Sequence, residues 1–154
     1  MTISVQKINL WRGEAEDQPG TLADIMEQIA RSGGGLEVVM GYSYPAEKRR
    51  AVIELFPVSG PRTTSAAQQA GLARSPKATL LIQGDDRIGL SDALYRAIAD
   101  AGLNIDFLVA QSVGAHFSVV VGFATESDAD RAAKLIDDFA REWERSGGPD
   151  GEPN

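Results

Sequence analysis

Two stretches of this chain repeat one another at a fixed spacing. Asp17-Gln18-Pro19-Gly20 opens an amphipathic run ending at Gly33, and Asp86-Arg87-Ile88-Gly89 opens another, 69 residues later, ending at Gly102. Asp17/Asp86, Gly20/Gly89, Ile29/Ile98, Ala30/Ala99 and Gly33/Gly102 are identical, and Ile25/Leu94 and Leu36/Ile105 are similar. The matches fall on turn and core positions, so the chain reads as a duplicated module. The expected division is residues 1–74 and 75–146. The polar end, 147–154, is too poor in apolar residues to pack and is expected to be a disordered tail.

Charge and composition remove several function classes. The 15 Lys and Arg against 22 Asp and Glu give a net charge of −7. That opposes phosphate neutralisation, so direct nucleic-acid binding is not expected. Without cysteine there is no disulfide, thiolate nucleophile or cysteine metal site. The single histidine, His116, follows Gly114-Ala115 with no second histidine, so it reads as a hairpin-tip residue and no metal is expected. No apolar run reaches the length of a membrane span and the start lacks a secretory pattern, so a cytoplasmic, membrane-free protein is expected.

The periodicities give an order of elements. Ile3, Val5, Ile8 and Leu10 alternate with a slip near Gln6-Lys7, as in a bulged strand over 3–11. A helix follows from Pro19 to Ser32, with Leu22, Ile25, Met26, Ile29 and Ala30 on one face. Strands at 36–44 and 49–58 flank a turn, Pro45-Ala46-Glu47-Lys48, and a short helix runs from Pro61 to Leu72. The second copy reads as a strand at 77–84, a helix at 89–101, strands at 105–113 and 117–124, and a long final helix. Ser127 with Asp130 is the cap candidate of that helix, and Ala129, Ala132, Ala133, Ile136, Phe139, Ala140 and Trp143 form its stripe.

Each copy is strand, helix, strand, strand, helix, a split βαβ pattern without its last strand. The missing strand would cover the flank of the first, which leaves 3–11 and 77–84 as open edges. They are expected to pair with each other or with another protomer, giving one continuous antiparallel sheet with helices on one face. Leu81, Val120 and Leu108 are expected on the opposite face.

The Asp-x-Pro-Gly turn, Asp17-Gln18-Pro19-Gly20-Thr21-Leu22-Ala23, and the Gly102-Leu103-Asn104-Ile105 exit of the second helix resemble the ACT domain, over roughly residues 5–140. Copy two has Ile88 where the motif has proline, and copy one has Gly35-Leu36 where it has Asn-Ile. The resemblance implies an α+β fold of tandem ferredoxin-like βαββα(β) repeats, and a regulatory module that binds a small effector, usually an amino acid, at an interface between two modules. Carried over, the ligand contacts are Asp17, Gln18, Pro19, Gly20, Thr21 and Leu22 in copy one. In copy two they are Asp86, Arg87, Ile88, Gly89 and Leu90, with Asn104 and Ile105.

The residues themselves fit that chemistry. A glycine at a helix entrance turns backbone N–H groups outward at the positive end of the dipole, which suits a carboxylate. Asp17 or Asp86 can accept an ammonium, and Asn104 can donate and accept beside it. Arg87 would favour a dicarboxylic ligand. Against this, Asp17 and Asp86 also read as helix N-caps, Gly20 and Gly89 as turn residues only, Asn104 as a left-handed turn residue, Lys48-Arg49-Arg50 as a solvated turn, and Trp11 and Trp143 as packing residues.

The functional expectation is a non-catalytic regulator without cofactors, a homodimer that binds an amino-acid effector. The alternative is an accessory protein that docks on an enzyme or transcription factor through a degenerate pocket. An enzyme is disfavoured because Gly-x-Ser-x-Gly and phosphate-loop motifs are missing. An RNA-binding sheet is disfavoured because Phe117 and Phe123 alternate in phase with Val119 and Val121, as a core face does.

Overall fold

The computed structural model describes residues 3–44 and 49–147. The turn expected at 45–48 and the tail from 148 lie outside the described residues. Where one bulged strand was expected over 3–11 there are two, β1 (Ser4–Ile8) and β2 (Trp11–Glu16), and they join different sheets. The remaining elements are α1 (Thr21–Arg31), β3 (Val38–Ser43), β4 (Arg50–Phe56), α2 (Pro61–Gln69), β5 (Ala73–Arg74), β6 (Ala78–Asp85), α3 (Leu90–Asp100), β7 (Phe107–Val113), β8 (His116–Phe123) and α4 (Glu126–Ser146).

The strands form two four-stranded antiparallel sheets, ordered β1-β6-β8-β7 and β3-β4-β2-β5, rather than one continuous sheet. Each sheet carries the fourth strand that the repeat pattern lacks. In the second copy β1 supplies it, running from Ser4 opposite Gln83 to Ile8 opposite Thr79 along β6. In the first copy the two-residue β5 supplies it, against Trp11 and Arg12 of β2. The open flanks at 3–11 and 77–84 thus meet over part of their length, as expected. The apolar slip in 3–11 is not a bulge, because the pairing is unbroken and Val5 and Ile8 simply lie on opposite faces of β1.

One compact unit is therefore Asn9–Pro76, and the other joins β1 to the chain from Lys77 through α4. The division expected at residue 74 falls close to the second junction, but the first strand belongs with the second copy.

In the β1–α4 unit, Leu80 and Ile82 of β6 and Val119, Val121 and Phe123 of β8 share one face. They pack against Leu94 and Ile98 of α3 and Ala132 and Ile136 of α4. The expected α4 stripe is therefore the buried one. Its cap is Thr125, whose hydroxyl accepts from the Asp128 N–H at 3.1 Å, two residues ahead of the expected Ser127. Leu81 and Val120 are opposite one another on the other face, whereas Leu108 lies opposite Val121 on the helix face.

In the Asn9–Pro76 unit, Trp11, Ile53 and Leu55 pack against Ile25 and Ile29 of α1 and Ala67 of α2. Leu22 and Ala30, expected on the same stripe, stand exposed at its margins.

Removing residues 1–8 leaves the flank of β6 bare. Hydrogen exchange is expected to show β6 amides losing protection, while β4, held by β3 and β2 on either side, keeps its own. Unchanged β6 protection would show that β1 adds nothing to this sheet.

Candidate ligand-binding site

The two glycine turns have the same backbone. Gly20 has φ 96° and Gly89 φ 82°, and these glycines are themselves the N-caps of α1 and α3. The Asp17 N–H donates to the Arg49 carbonyl and the Asp86 N–H to the Ala115 carbonyl, each at 2.8 Å, which ties each turn to the neighbouring hairpin. Thr21 N–H to Gln18 carbonyl and Leu90 N–H to Arg87 carbonyl close the turns, and the Asp24 and Ala93 N–H groups donate to the cap glycines. Neither helix has a side-chain cap, so Asp17 and Asp86 do not cap. The reason is positional: each aspartate lies three residues before the glycine cap. Pro19, expected in the first turn of the helix, belongs to the loop before it.

In copy one the turn borders a cleft of 260 Å³. Asp17, Gln18, Thr21 and Leu22 line it, while Pro19 and Gly20 shape the turn without lining the cleft. Sequence reading missed the far wall, which comes from Gly41 and Ser43 of β3 and Ala51 and Ile53 of β4. These four alternate onto the helix face. The resemblance pointed to the start of the second strand. However, β3 and β2 are each antiparallel to β4, so they run the same way and it is the end of β3 that meets the turn.

Gly41 opens the cleft. A Cβ added there would meet only Leu22 Cδ2, at 4.0 Å. The Thr21 hydroxyl donates to the Glu16 carbonyl at 3.0 Å. The wall thus offers apolar area from Leu22, Ala51 and Ile53, hydroxyls from Thr21 and Ser43, and carboxylates from Glu16 and Asp17. Among the described residues, His, Lys and Arg do not line it.

Tyr42 and Val52 also border the cleft, although their side chains belong to the other face of the sheet. There the Tyr42 hydroxyl donates to Glu54 Oε2 at 3.2 Å, and Glu54 is buried. Burial, and next the Glu54 carboxylate, raise the Tyr42 phenol above its ordinary value. On the same sheet Arg12 donates to the Tyr44 hydroxyl at 2.9 Å and pairs with Glu14, which also holds Arg50 at 2.6 Å.

Copy two keeps the turn and changes its surroundings. Leu90 stands where Thr21 does and is buried in the core, so it is a packing residue rather than an open contact. Asp86 and Gly89 are exposed, and Ile88 is 91% exposed. Arg87 and Leu90 border a separate, smaller cavity beside α4.

Asn104 and Ile105 precede β7 at the far end of the sheet, where the Asp106 N–H donates to the Gly122 carbonyl and Lys77 pairs with Asp106. The structure does not bring them to the Asp86 turn of their own module. Ile105 packs against the core, and the left-handed residue of this exit is Gly102, not Asn104. His116 closes the β7–β8 hairpin and its Nδ1 lies 3.2 Å from Asp85.

This architecture is shared with solved structures. Protein BT0572 from Bacteroides thetaiotaomicron matches with a TM-score of 0.70 at 12% identity, over 84% of this chain and 88% of that one. The regulatory subunit of aspartate kinase from Thermus thermophilus, in its ligand-free form, matches at 0.62 and 16% identity, over 90% of this chain and 96% of its own. A putative C-terminal regulatory domain of aspartate kinase from Porphyromonas gingivalis matches at 0.52 and 10%, over 90% and 95%. No family model matches the sequence, and no curated protein sequence does. At these identities the likeness establishes the fold: the α+β arrangement of paired antiparallel sheets and helices found in ACT regulatory domains of aspartate kinase.

Gly20→Ala meets no atom within 4 Å, so its cost is backbone strain alone. It is expected to lower stability by about 1 kcal/mol, read from urea midpoints. A neutral result would mean that the turn relaxes.

Because the Tyr42 phenol is raised, its stabilising contribution is complete below the ordinary tyrosine range and is lost as pH climbs through the folded value. Tyrosinate absorbance should show a late step that Tyr42→Phe removes. Persistence of that step would refute the assignment.

Proposed function

We propose that this protein is a non-catalytic regulator whose first module binds an amino acid in the cleft beside Gly20. The cleft itself carries the reading. An entrance without a side-chain cap leaves first-turn N–H groups of α1 for a carboxylate, Asp17 and Glu16 can accept an ammonium, and Gly41 makes room for a side chain. The described wall has acceptors and N–H donors suited to holding a zwitterion, and it supplies neither a metal-ligating cluster nor a cysteine nucleophile among the described residues, which supports binding.

The cleft abuts β3, an edge strand without charged residues, and β7 is a second such edge. Bare uncharged edges favour pairing, so a homodimer with the effector at a seam between modules fits them. The neighbouring fold of an aspartate kinase regulatory subunit supports a regulated partner, and a cytoplasmic setting is kept with it. Among the described residues no helix is long and apolar enough to cross a membrane.

A second reading, an accessory protein docking on an enzyme or transcription factor, draws on Ile88 and Val113. Both are strongly exposed, and the Asp86–Ala115 hydrogen bond places their loops at one end of the sheet.

Thermal shift against the twenty amino acids separates the two. A ligand at 100 times its Kd adds about 2.7 kcal/mol. At Gly41 an added Cβ meets only Leu22 Cδ2, at 4.0 Å, and a branched side chain there projects into the cleft, so Gly41→Val should abolish the shift and leave the unliganded melting temperature within a few degrees. No shift with any amino acid, together with a partner whose capture depends on Ile88, would overturn the sensor reading in favour of docking.

A further inference from the structure

In the β1–α4 unit a groove of 460 Å³ runs between α3 and α4. Leu135 and Phe139 of α4 form its apolar floor and are only partly buried. On the α3 side Ala97 and Ala101 carry the shortest apolar side chains, which leaves the groove its depth. Apolar surface left partly in water and ringed by charge marks a place where another protein surface sits.

The rim decides what fits there. Arg131, Lys134, Asp138 and Glu142 border the groove and follow one another along α4 at intervals of three and four residues, so they share one face of the helix. The order is two cations, then two anions. A rim of one sign would call for a partner of the other sign. This divided rim is instead the complement of itself turned end over end. When a second α4 lies antiparallel across the first, Arg131 comes opposite Glu142 and Lys134 alongside Asp138, and the two-fold axis makes each pairing twice. A parallel copy would set like charges together. Leu135 and Phe139 fall near the middle of the antiparallel pair, where each copy's apolar floor covers the other's.

The charges are not arranged for the helix alone. Lys134 donates to Asp138 at 2.8 Å, but a cation four residues ahead of an acid is the weaker order for such a pair. Arg131 lies 3.6 Å from Asp128 and donates to the Ala101 carbonyl at 3.2 Å, which holds its guanidinium at the groove. The two ion pairs are exposed, so each is weak and exchanges for a contact across a seam at little cost.

We infer that the α3–α4 face docks a second copy of this chain, in an antiparallel two-fold pair centred near Ile136 and Asp137. This goes beyond the proposed function, because it uses neither the cleft at Gly20 nor the edge strands β3 and β7.

The test is sedimentation equilibrium of the full chain and two double variants. Arg131→Glu with Lys134→Glu makes the rim wholly acidic, and Asp138→Lys with Glu142→Lys makes it wholly basic. Each variant should repel its own copy and raise the dissociation constant by about tenfold or more. An equimolar mixture of the two should regain the wild-type association, since an acidic rim then faces a basic one. The four side chains are exposed, so helix content read by circular dichroism should stay at the wild-type level, and association regained in the mixture shows that both variants fold. Wild-type association in each variant alone would overturn this surface and is the result expected of a pair joined only along β3 or β7. Variants that dissociate, keep their helix content and stay apart when mixed would overturn the antiparallel charge pairing. A wild-type chain that is monomeric at its highest soluble concentration would overturn the proposal and leave the groove to a different protein.

Discussion

The outer flank of the first strand of a split βαβ module presents a row of N–H and C=O groups, and in both modules of this chain a further strand pairs along it. That pairing organises this chain. The first module makes it only at its start, where Ala73 and Arg74 pair with Arg12 and Trp11. The second makes it with the N-terminal segment, so that residues 4–8 close a sheet whose other strands begin at residue 78. The junction is reinforced at the surface, where Lys7 lies 2.7 Å from Asp130 and 2.6 Å from Glu126. Its hydrogen bonds to Asp130 and then Glu126 raise the Lys7 ammonium above its ordinary value. Screening makes such exposed pairs weak, so the backbone ladder, not the charge, holds β1 in place.

Once both sheets are closed, the same turn gives two different environments. The backbone bonds of the Gly20 and Gly89 turns correspond one for one, and the side chains around them do not. Thr21 of the first copy corresponds to Leu90 of the second. Ala51, opposite Ser43, corresponds to Phe117, opposite Ser112. Both replacements are large, apolar and buried in the core, so they take up space that in the first copy belongs to the cleft. Leu22 becomes Ser91, which removes the apolar lip. Five identical positions fix the turn and the helix, while the residues that decide what can bind lie among those that have diverged.

This explains which parts of the fold the sequence revealed. Helix faces and strand alternation were legible because burial imposes them locally: Ile25, Ile29, Leu94, Ile98 and Ile136 are core residues as their spacing implied. The two closing strands were not legible. Ala73-Arg74 has no periodicity to read, and β1 merges with β2 into one apolar run because nothing in Ile8-Asn9-Leu10 records that the chain changes sheets there. The capping error at α4 has a local origin as well, since Thr125 with Asp128 and Ser127 with Asp130 carry the same spacing and only the hydrogen bond separates them. At the site, the turn residues were found through the repeat. Gly41, Ser43, Ala51 and Ile53 were not, because their part depends on a register between strands that no local pattern contains.

Strand direction also settles what a single module can hold. The second strand of each module runs parallel to the first, and β7 is seven residues long, so its start lies roughly 20 Å from the end that meets the turn. An amino acid cannot span that length. Asn104 and the Asp86 turn of one module therefore cannot grip the same effector, although the resemblance assigned both to ligand binding.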